Sequence, residues 1–303
     1  VRRARAADEV RLDLADVAAV VRAARDVDLV VSTVRAPQLQ PERAVLAEGG
    51  KLLSIASLDA ADRKLLAGAH GRRGLVVVHA GMHPGVSTLL LKKLLGAHPE
   101  ADAAELTLTL SSRGSGGRHG METAAIPLLK RQRRHLTACV EVPAPFGRRR
   151  CMVVGDGSEG FFGEVGTHVR RRLYWCFLEQ SSHRGLLAVN ALGATRWIPD
   201  RILLAGKRRV PTALSAEPKC DVVAVSRGGR RLGGYAIRGY GDYAMTVAAT
   251  VAFAEQLLRG DARGCVAAED LFAVADLMPH LIDQNVIVEA IGGAGPDRLQ
   301  PAA

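Results

Sequence analysis

Between residues 28 and 95 the chain alternates short apolar runs with helix-patterned stretches through short loops. DLVVST (28–33), KLLSI (51–55) and LVVVH (75–79) are apolar runs of five or six residues, too short for buried helices and suited to strands covered on both faces. The stretches between them, 41–48 and 59–70, read as helices, the first stopped by Gly49-Gly50 and the second by Gly71. Asp16 is placed to cap a further helix over 16–24 that carries Val17, Val20 and Val21 on one face. Strands alternating with helices through short loops predict an α/β fold with a doubly wound parallel sheet.

From Glu105 onward strands follow one another instead. Candidate strands are 105–111, 136–142, 151–154, 173–178, 221–226 and 231–237. Arg227-Gly228-Gly229-Arg230 between the last two is a hairpin turn. A long amphipathic helix over 243–259 ends at Gly260. A helix over 268–276 and a short strand over 286–290 follow, and the Gly-, Pro- and Ala-rich tail 292–303 is expected to be disordered.

Bulk properties exclude several classes. Hydrophobic residues make up 48% and charged residues 24%, as in globular chains. No apolar run reaches the roughly 18–20 residues of a membrane span, and the opening VRRARAADEVRLDLAD has no apolar centre for a secretory signal. Five scattered cysteines without a CxxC pair predict reduced, buried thiols and a cytoplasmic location. The net charge of +10 raises a nucleic-acid reading. It rests on thirty-four arginines against seven lysines, dispersed in short clusters, and aromatics are only 4%. Neither a nucleic acid nor a membrane is the expected partner.

The segment VVVHAGMHPGVSTLLLKKLL (76–95) ends a strand pattern in a glycine-proline knot. Ligands of open parallel sheets bind beyond the carboxyl ends of the strands. Three such ends here carry small or polar residues: Ser32-Thr33-Val34, Ser54 to Ser57, and His79 to Gly85. The helix starting near Val86 offers free N–H groups to an anion. Two readings of Gly81, Pro84 and Gly85 stand side by side, a sharp turn and a ligand site.

The order DLVVST, helix, GGKLLSIAS, helix, GLVVVHAGMHPGVSTLLLKKLL resembles the saccharopine dehydrogenase-like reductases, which carry a Gly-x-x-Pro-Gly knot at this strand end. YGDYAMTVAATVAFAEQLLRGDARGCVAAEDL (240–271) is similar to the same family's Thr-containing long helix. Many members have Asp before Pro-Gly, where this chain has His83. The resemblance implies an NAD(P)-dependent oxidoreductase with NADP or NAD as cofactor, a small-molecule substrate and, by analogy, a homodimer.

It further implies a Rossmann-type parallel sheet plus a second α+β domain with a mostly antiparallel sheet. The expected divisions are 1–88 (dinucleotide-binding), 89–240 (substrate and dimerisation), 241–291 (returning helices) and the tail. On this basis Asp13, Leu14, Ser32, Thr33, Val34, Ser54 and Gly81 border the cofactor. Met82, His83, Pro84, Gly85, Ser112 and Tyr240 border the substrate. His83 is the candidate for proton transfer, since an unperturbed imidazole titrates near neutrality. Nothing in the sequence matches a metal site.

The family opens with a strand, a glycine-rich turn, a helix and a second strand that have no counterpart before Val1. The expectation is an N-terminally incomplete sheet in which EVRLDL (9–14) finds no neighbour. The alternative reading is a non-catalytic fragment or degenerate homologue that acts in dimerisation or partner binding. One further glycine pattern, Gly155, Gly157 and Gly160 in CMVVGDGSEG, matches GxGxxG. The stretch after it is short and broken by Gly163 and Gly166, so a surface turn is the expectation.

Overall fold

The computed structural model describes residues 12–33, 36–56, 58, 60–69, 74–110, 137–154, 159–177, 184–185, 188–189, 192–205, 217–260 and 262–292. The chain divides into two compact units. The first holds residues up to Gly81 together with Phe253–Leu271, and the second holds Met82–Ala252 and the residues from Phe272 on.

The first unit is built on a four-stranded parallel sheet, β1 (Val30–Ser32), β2 (Lys51–Ser54), β3 (Leu75–Val78) and β10 (Gly264–Ala267), in that order. Helices α1 (Val17–Arg25), α2 (Gln40–Ala47) and α3 (Ala60–Ala67) connect or flank these strands. Asp16 caps α1 as its sequence position predicts, its carboxylate accepting from the N–H of Ala19. Every residue of β3 is buried, which is why its run carries no alternation. Val45, Leu46, Leu52, Leu66, Val76 and Val78 form the core between sheet and helices.

The sequence pattern assigns no element between Gly260 and the helix expected from 268, whereas GCVA pairs in parallel with β3 from Gly264↔Leu75 to Ala267↔Val78. A four-residue strand with one valine carries too little β pattern to announce itself. Lys51 Nζ donates to Gly260 O at 3.1 Å, anchoring the end of the preceding helix to β2. Leu12–Leu14 lie in no strand, and Leu12 and Leu14 are exposed. The rest of EVRLDL lies outside the described residues.

The second unit carries a seven-stranded sheet in the order β11-β9-β8-β4-β7-β6-β5. Its strands are β4 (Ala103–Leu110), β5 (Thr137–Val142), β6 (Gly147–Val154), β7 (Arg170–Phe177), β8 (Pro218–Arg227), β9 (Arg230–Tyr240) and β11 (Ile287–Ile291). Only β4 and β7 run parallel; the other neighbours are antiparallel. Helix α4 (Val86–Ala97) packs against β8, β4 and β9, and α8 (Val274–Asp283) packs on α4. Between them in sequence stand α5 (Asp200–Ala205), the long α6 (Asp242–Arg259) and the short α7 (Ala268–Leu271). The expected helix over 268–276 is thus two helices, α7 and α8. The strands β6 and β7 that flank the glycine pattern pair antiparallel and so are not the two parallel strands of a βαβ unit; Gly155 and Gly157 themselves lie outside the described residues. The tail from 293 on lies outside the described residues.

The cysteines depart from expectation. Cys151 on β6 and Cys176 on β7 form a disulfide, while Cys139, Cys220 and Cys265 are free. The two partners are 25 residues apart, and the antiparallel register brings them to facing positions that no sequence spacing reveals. Denatured protein treated with iodoacetamide but no reductant should therefore gain three carbamidomethyl groups, and five after reduction; five without reductant would disprove the bridge. At Gly74, just before β3, a Cβ would lie 2.3 Å from Leu46 O. Gly74→Ala must displace backbone and should lower unfolding free energy by about 1–3 kcal/mol, measurable by urea denaturation.

Candidate active site

Within the second unit, one carboxylate gathers the chemistry. Strand β8 places Lys219, Asp221, Val223 and Val225 on one face and Cys220, Val222 and Ala224 on the other, by its two-residue period. The second set joins Val142 and Ala236 in an apolar cluster. The first set turns a charged pair inward: Asp221 is 0% exposed and the Lys219 side chain 6%.

Four groups surround Asp221. Its Oδ1 accepts from the backbone N–H of Thr109 at 2.7 Å, and Thr109 Oγ1 lies 3.2 Å away. The β4–β8 pairing reaches only to Thr107↔Val222, so the side chain satisfies a strand N–H beyond the end of the ladder. On the other oxygen, Oδ2, His83 Nε2 stands at 2.8 Å and Lys219 Nζ at 3.1 Å. Lys219 also pairs with Asp242, the first residue of α6. Thr109 Oγ1 in turn accepts from Cys220 N at 3.1 Å, locking the strand end that carries the acid.

Burial alone would raise the Asp221 carboxyl, but Lys219 and then His83 overcome it and hold it below the usual carboxylate range. For Lys219 burial pulls downward, and Asp221 followed by Asp242 more than compensates, so the ammonium is held above its ordinary value. An ionised Asp221 only accepts hydrogen bonds, which assigns a proton to His83 Nε2. His83 Nδ1 is then the free nitrogen. It is buried and has no hydrogen-bond partner among the described residues, and neither has Asp242 Oδ2. Burial pushes the neighbouring Cys220 thiol up to about 12, so it is no nucleophile at neutral pH.

His83 reaches Asp221 because the knot turns immediately ahead of α4. The His83–Pro84 peptide is cis and Gly85 has φ 136°, a conformation open to glycine and hostile to side chains. Thr88 Oγ1 donates to Gly85 O at 2.8 Å and accepts from Gly85 N at 3.2 Å, pinning the turn to the helix start. Met82, Pro84 and Gly85 are buried beside His83 in sequence. Tyr240, also expected near substrate, ends β9 and is 56% exposed.

The residues expected at the cofactor lie in the first unit. Ser32 and Ser54 are register partners at the carboxyl ends of β1 and β2. Ser32 Oγ donates to Glu42 at 3.0 Å, and the buried Ser54 Oγ accepts from Ala56 N at 3.3 Å. Thr33 is exposed and Gly81 buried. Asp13 and Leu14 are exposed ahead of α1, with Asp13 Oδ1 accepting from Ala15 N. Val34 and Ser112 lie outside the described residues. At the end of β3, His79 sits at φ 61° with Nδ1 3.3 Å from Glu269 of α7, both buried, and its Nε2 has no hydrogen-bond partner among the described residues.

Lys219, Asp221 and Thr109 escaped the sequence reading. A lysine and an aspartate at the start of a strand look like a solvated end. The signal that could have found them is the K-x-D spacing, which puts both charges on one face of an otherwise apolar strand. Among the described residues no His, Cys, Asp and Glu group could hold a metal ion, and no helix is long and apolar enough to cross a membrane.

No protein-family model and no curated protein sequence matches the chain. Solved structures do. Saccharopine dehydrogenase (L-Glu forming) from Saccharomyces cerevisiae in its apo form superposes with a TM-score of 0.62 at 12% identity, covering 94% of this chain and 89% of that one. The WlbA (WbpB) dehydrogenase from Thermus thermophilus, in complex with NAD and UDP-GlcNAcA, gives 0.34 at 15% identity and covers 90% and 77%. Biliverdin reductase from Synechocystis, in complex with biliverdin and NADP+, gives 0.32 at 12% identity and covers 85% and 77%. A parallel-sheet unit joined to a mostly antiparallel one is thus the fold that this chain shares with yeast saccharopine dehydrogenase.

Proposed function

We propose that the chain is an NAD(P)-dependent oxidoreductase of the saccharopine dehydrogenase-like type, acting on a small-molecule substrate, with His83 as its proton-transfer group. The observation that carries the reading is the His83–Asp221 pair at 2.8 Å, with His83 Nδ1 buried and without a partner among the described residues. In the sequence His83 follows β3 by a few residues, in the glycine-proline knot on which the resemblance to the saccharopine dehydrogenase-like reductases rests. The shared fold with yeast saccharopine dehydrogenase supports the class. A homodimer and a cytoplasmic location belong to the same proposal. The Cys151–Cys176 bridge, which a reducing compartment would open, is the observation that pulls against the second.

The chemistry of the first unit's carboxyl edge suits a nicotinamide dinucleotide. Ser54 is small, Gly81 brings no side chain, and His79 Nε2 is an unmet buried polar atom among the described residues. These residues, with Ser32, would hold the cofactor, which when bound supplies hydride transfer. The protein's own part is the proton. As an imidazolium, His83 donates from Nδ1 to the substrate atom that gains electrons, while Nε2–H stays on Asp221. In the reverse direction neutral Nδ1 takes the proton back. Asp221 fixes the ring and stabilises the charged form, as a carboxylate does for a general-base histidine elsewhere. The buried charges also argue against a degenerate, non-catalytic chain. Removing one partner of such a pair costs about 3–5 kcal/mol, whereas an apolar set of similar volume is often as stable.

His83→Ala should lower the rate of nicotinamide oxidation by about 10²–10⁴-fold, with substrate present. NADPH or NADH affinity, followed by fluorescence titration, should change by less than about threefold. An unchanged rate would remove His83 from the mechanism. Side-chain ¹⁵N spectra of the free protein should show the neutral His83 ring protonated on Nε2. A proton on Nδ1 alone would contradict the assigned role.

A further inference from the structure

We propose that Lys219 and Asp242 are positioning residues that, through Asp221, set the pH at which His83 exchanges its proton. The inference rests on His83 as the proton-transfer group and extends it inward. Asp221 Oδ2 is shared by His83 Nε2 at 2.8 Å and Lys219 Nζ at 3.1 Å, so the ammonium and the imidazole compete for one oxygen. Lys219 has a second anion, Asp242, anchored where α6 begins. The result is a buried row of alternating character: imidazole, carboxylate, ammonium, carboxylate.

In such a row each charge weakens or strengthens the next. Lys219 draws on Asp221 and so reduces the hold of Asp221 on an imidazolium. Asp242 draws on Lys219 and returns part of that hold. Screening is weak because Asp221 is 0% exposed, the Lys219 side chain 6% and that of Asp242 16%. Summed, the three inner charges leave a single negative charge facing His83, which a protonated ring neutralises. Asp242 Oδ2 is buried without a hydrogen-bond partner among the described residues, and Lys219 is the group that the other oxygen pairs with.

Other charges near the row lie elsewhere. Arg238 of β9 is the register partner of Cys220, on the opposite face of β8, and is paired with Glu289 of β11 at 2.9 Å. Cys220 is an uncharged thiol. From β4 the row meets the neutral Thr109. Glu217 lies next to the exposed Tyr240 end of the hairpin, where its carbonyl accepts from Gly241 N. Among the described residues, Lys219 and Asp242 are therefore the two charges on the Asp221 side of the strand that remain to act on His83.

The test is an NMR titration of the His83 ring in the full chain, with no substrate or cofactor needed. Lys219→Met removes the competing cation, and the titration midpoint should move to higher pH by on the order of one unit. Asp242→Asn leaves Lys219 less neutralised, and the midpoint should move to lower pH. Lys219→Arg should bring it back close to the parent. Opposite displacements support the inference; two unmoved midpoints, or two moving the same way, overturn it. If Lys219→Met fails to fold, the near-isosteric Asp242→Asn decides alone, since only a downward displacement agrees with the row. The readout is the ring itself, so a normal rate in His83→Ala would defeat the proton-transfer reading while leaving this result to stand separately.

Discussion

A carboxylate with no access to water must have every lone pair answered, and Asp221 imposes that demand on the second unit. The answers come from the N–H and hydroxyl of Thr109 at the end of β4, the ring of His83 ahead of α4 and the ammonium of Lys219 on the same strand, which Asp242 of α6 pairs with in turn. Two strands, a turn and two helix starts are thereby brought into register around one atom group. Apolar contacts would hold these elements together with wide tolerance. The carboxylate tolerates far less, because hydrogen bonds weaken steeply with angle and distance.

The same demand explains why the knot is built as it is. Gly85 supplies a φ of 136° and Thr88 closes on it in both directions, so the backbone ahead of α4 is held without a ligand. His83 then needs only one contact to be oriented, and Asp221 provides it. A pre-set imidazole loses little freedom when it meets a reactant, which is how positioned groups lower barriers.

The sequence displayed its architecture unevenly. Strands β1 to β3 and their helices were legible because parallel strands covered on both faces write themselves as uninterrupted apolar runs. The hairpin of β8 and β9 was legible from Gly228-Gly229. Strand β10 was not: four residues with one β-branched member become a strand only because β3 offers an edge. The disulfide was hidden for a related reason, since facing positions are a property of register. Of the site, the glycine-proline knot and His83 could be read from composition and place. Lys219 and Asp221 left one trace, two charges on one face of an apolar strand, but their burial is conferred by α4 and β4, which are distant in sequence. Asp242 looked like an ordinary helix start.

The late arrival of β10 has a consequence for synthesis. The edge of β3 that β10 covers is apolar and fully buried in the finished fold. Its partner leaves the ribosome only after the entire seven-stranded sheet except β11 has been translated. At about 5–20 residues per second this leaves the edge uncovered for on the order of ten seconds or more. During that interval nascent chains on one messenger present identical open edges to one another, the geometry from which strand-swapped and aggregated species grow. Yield of this protein in a host should thus depend on translation speed and on chaperones that mask a strand edge, more than on the stability of the finished molecule.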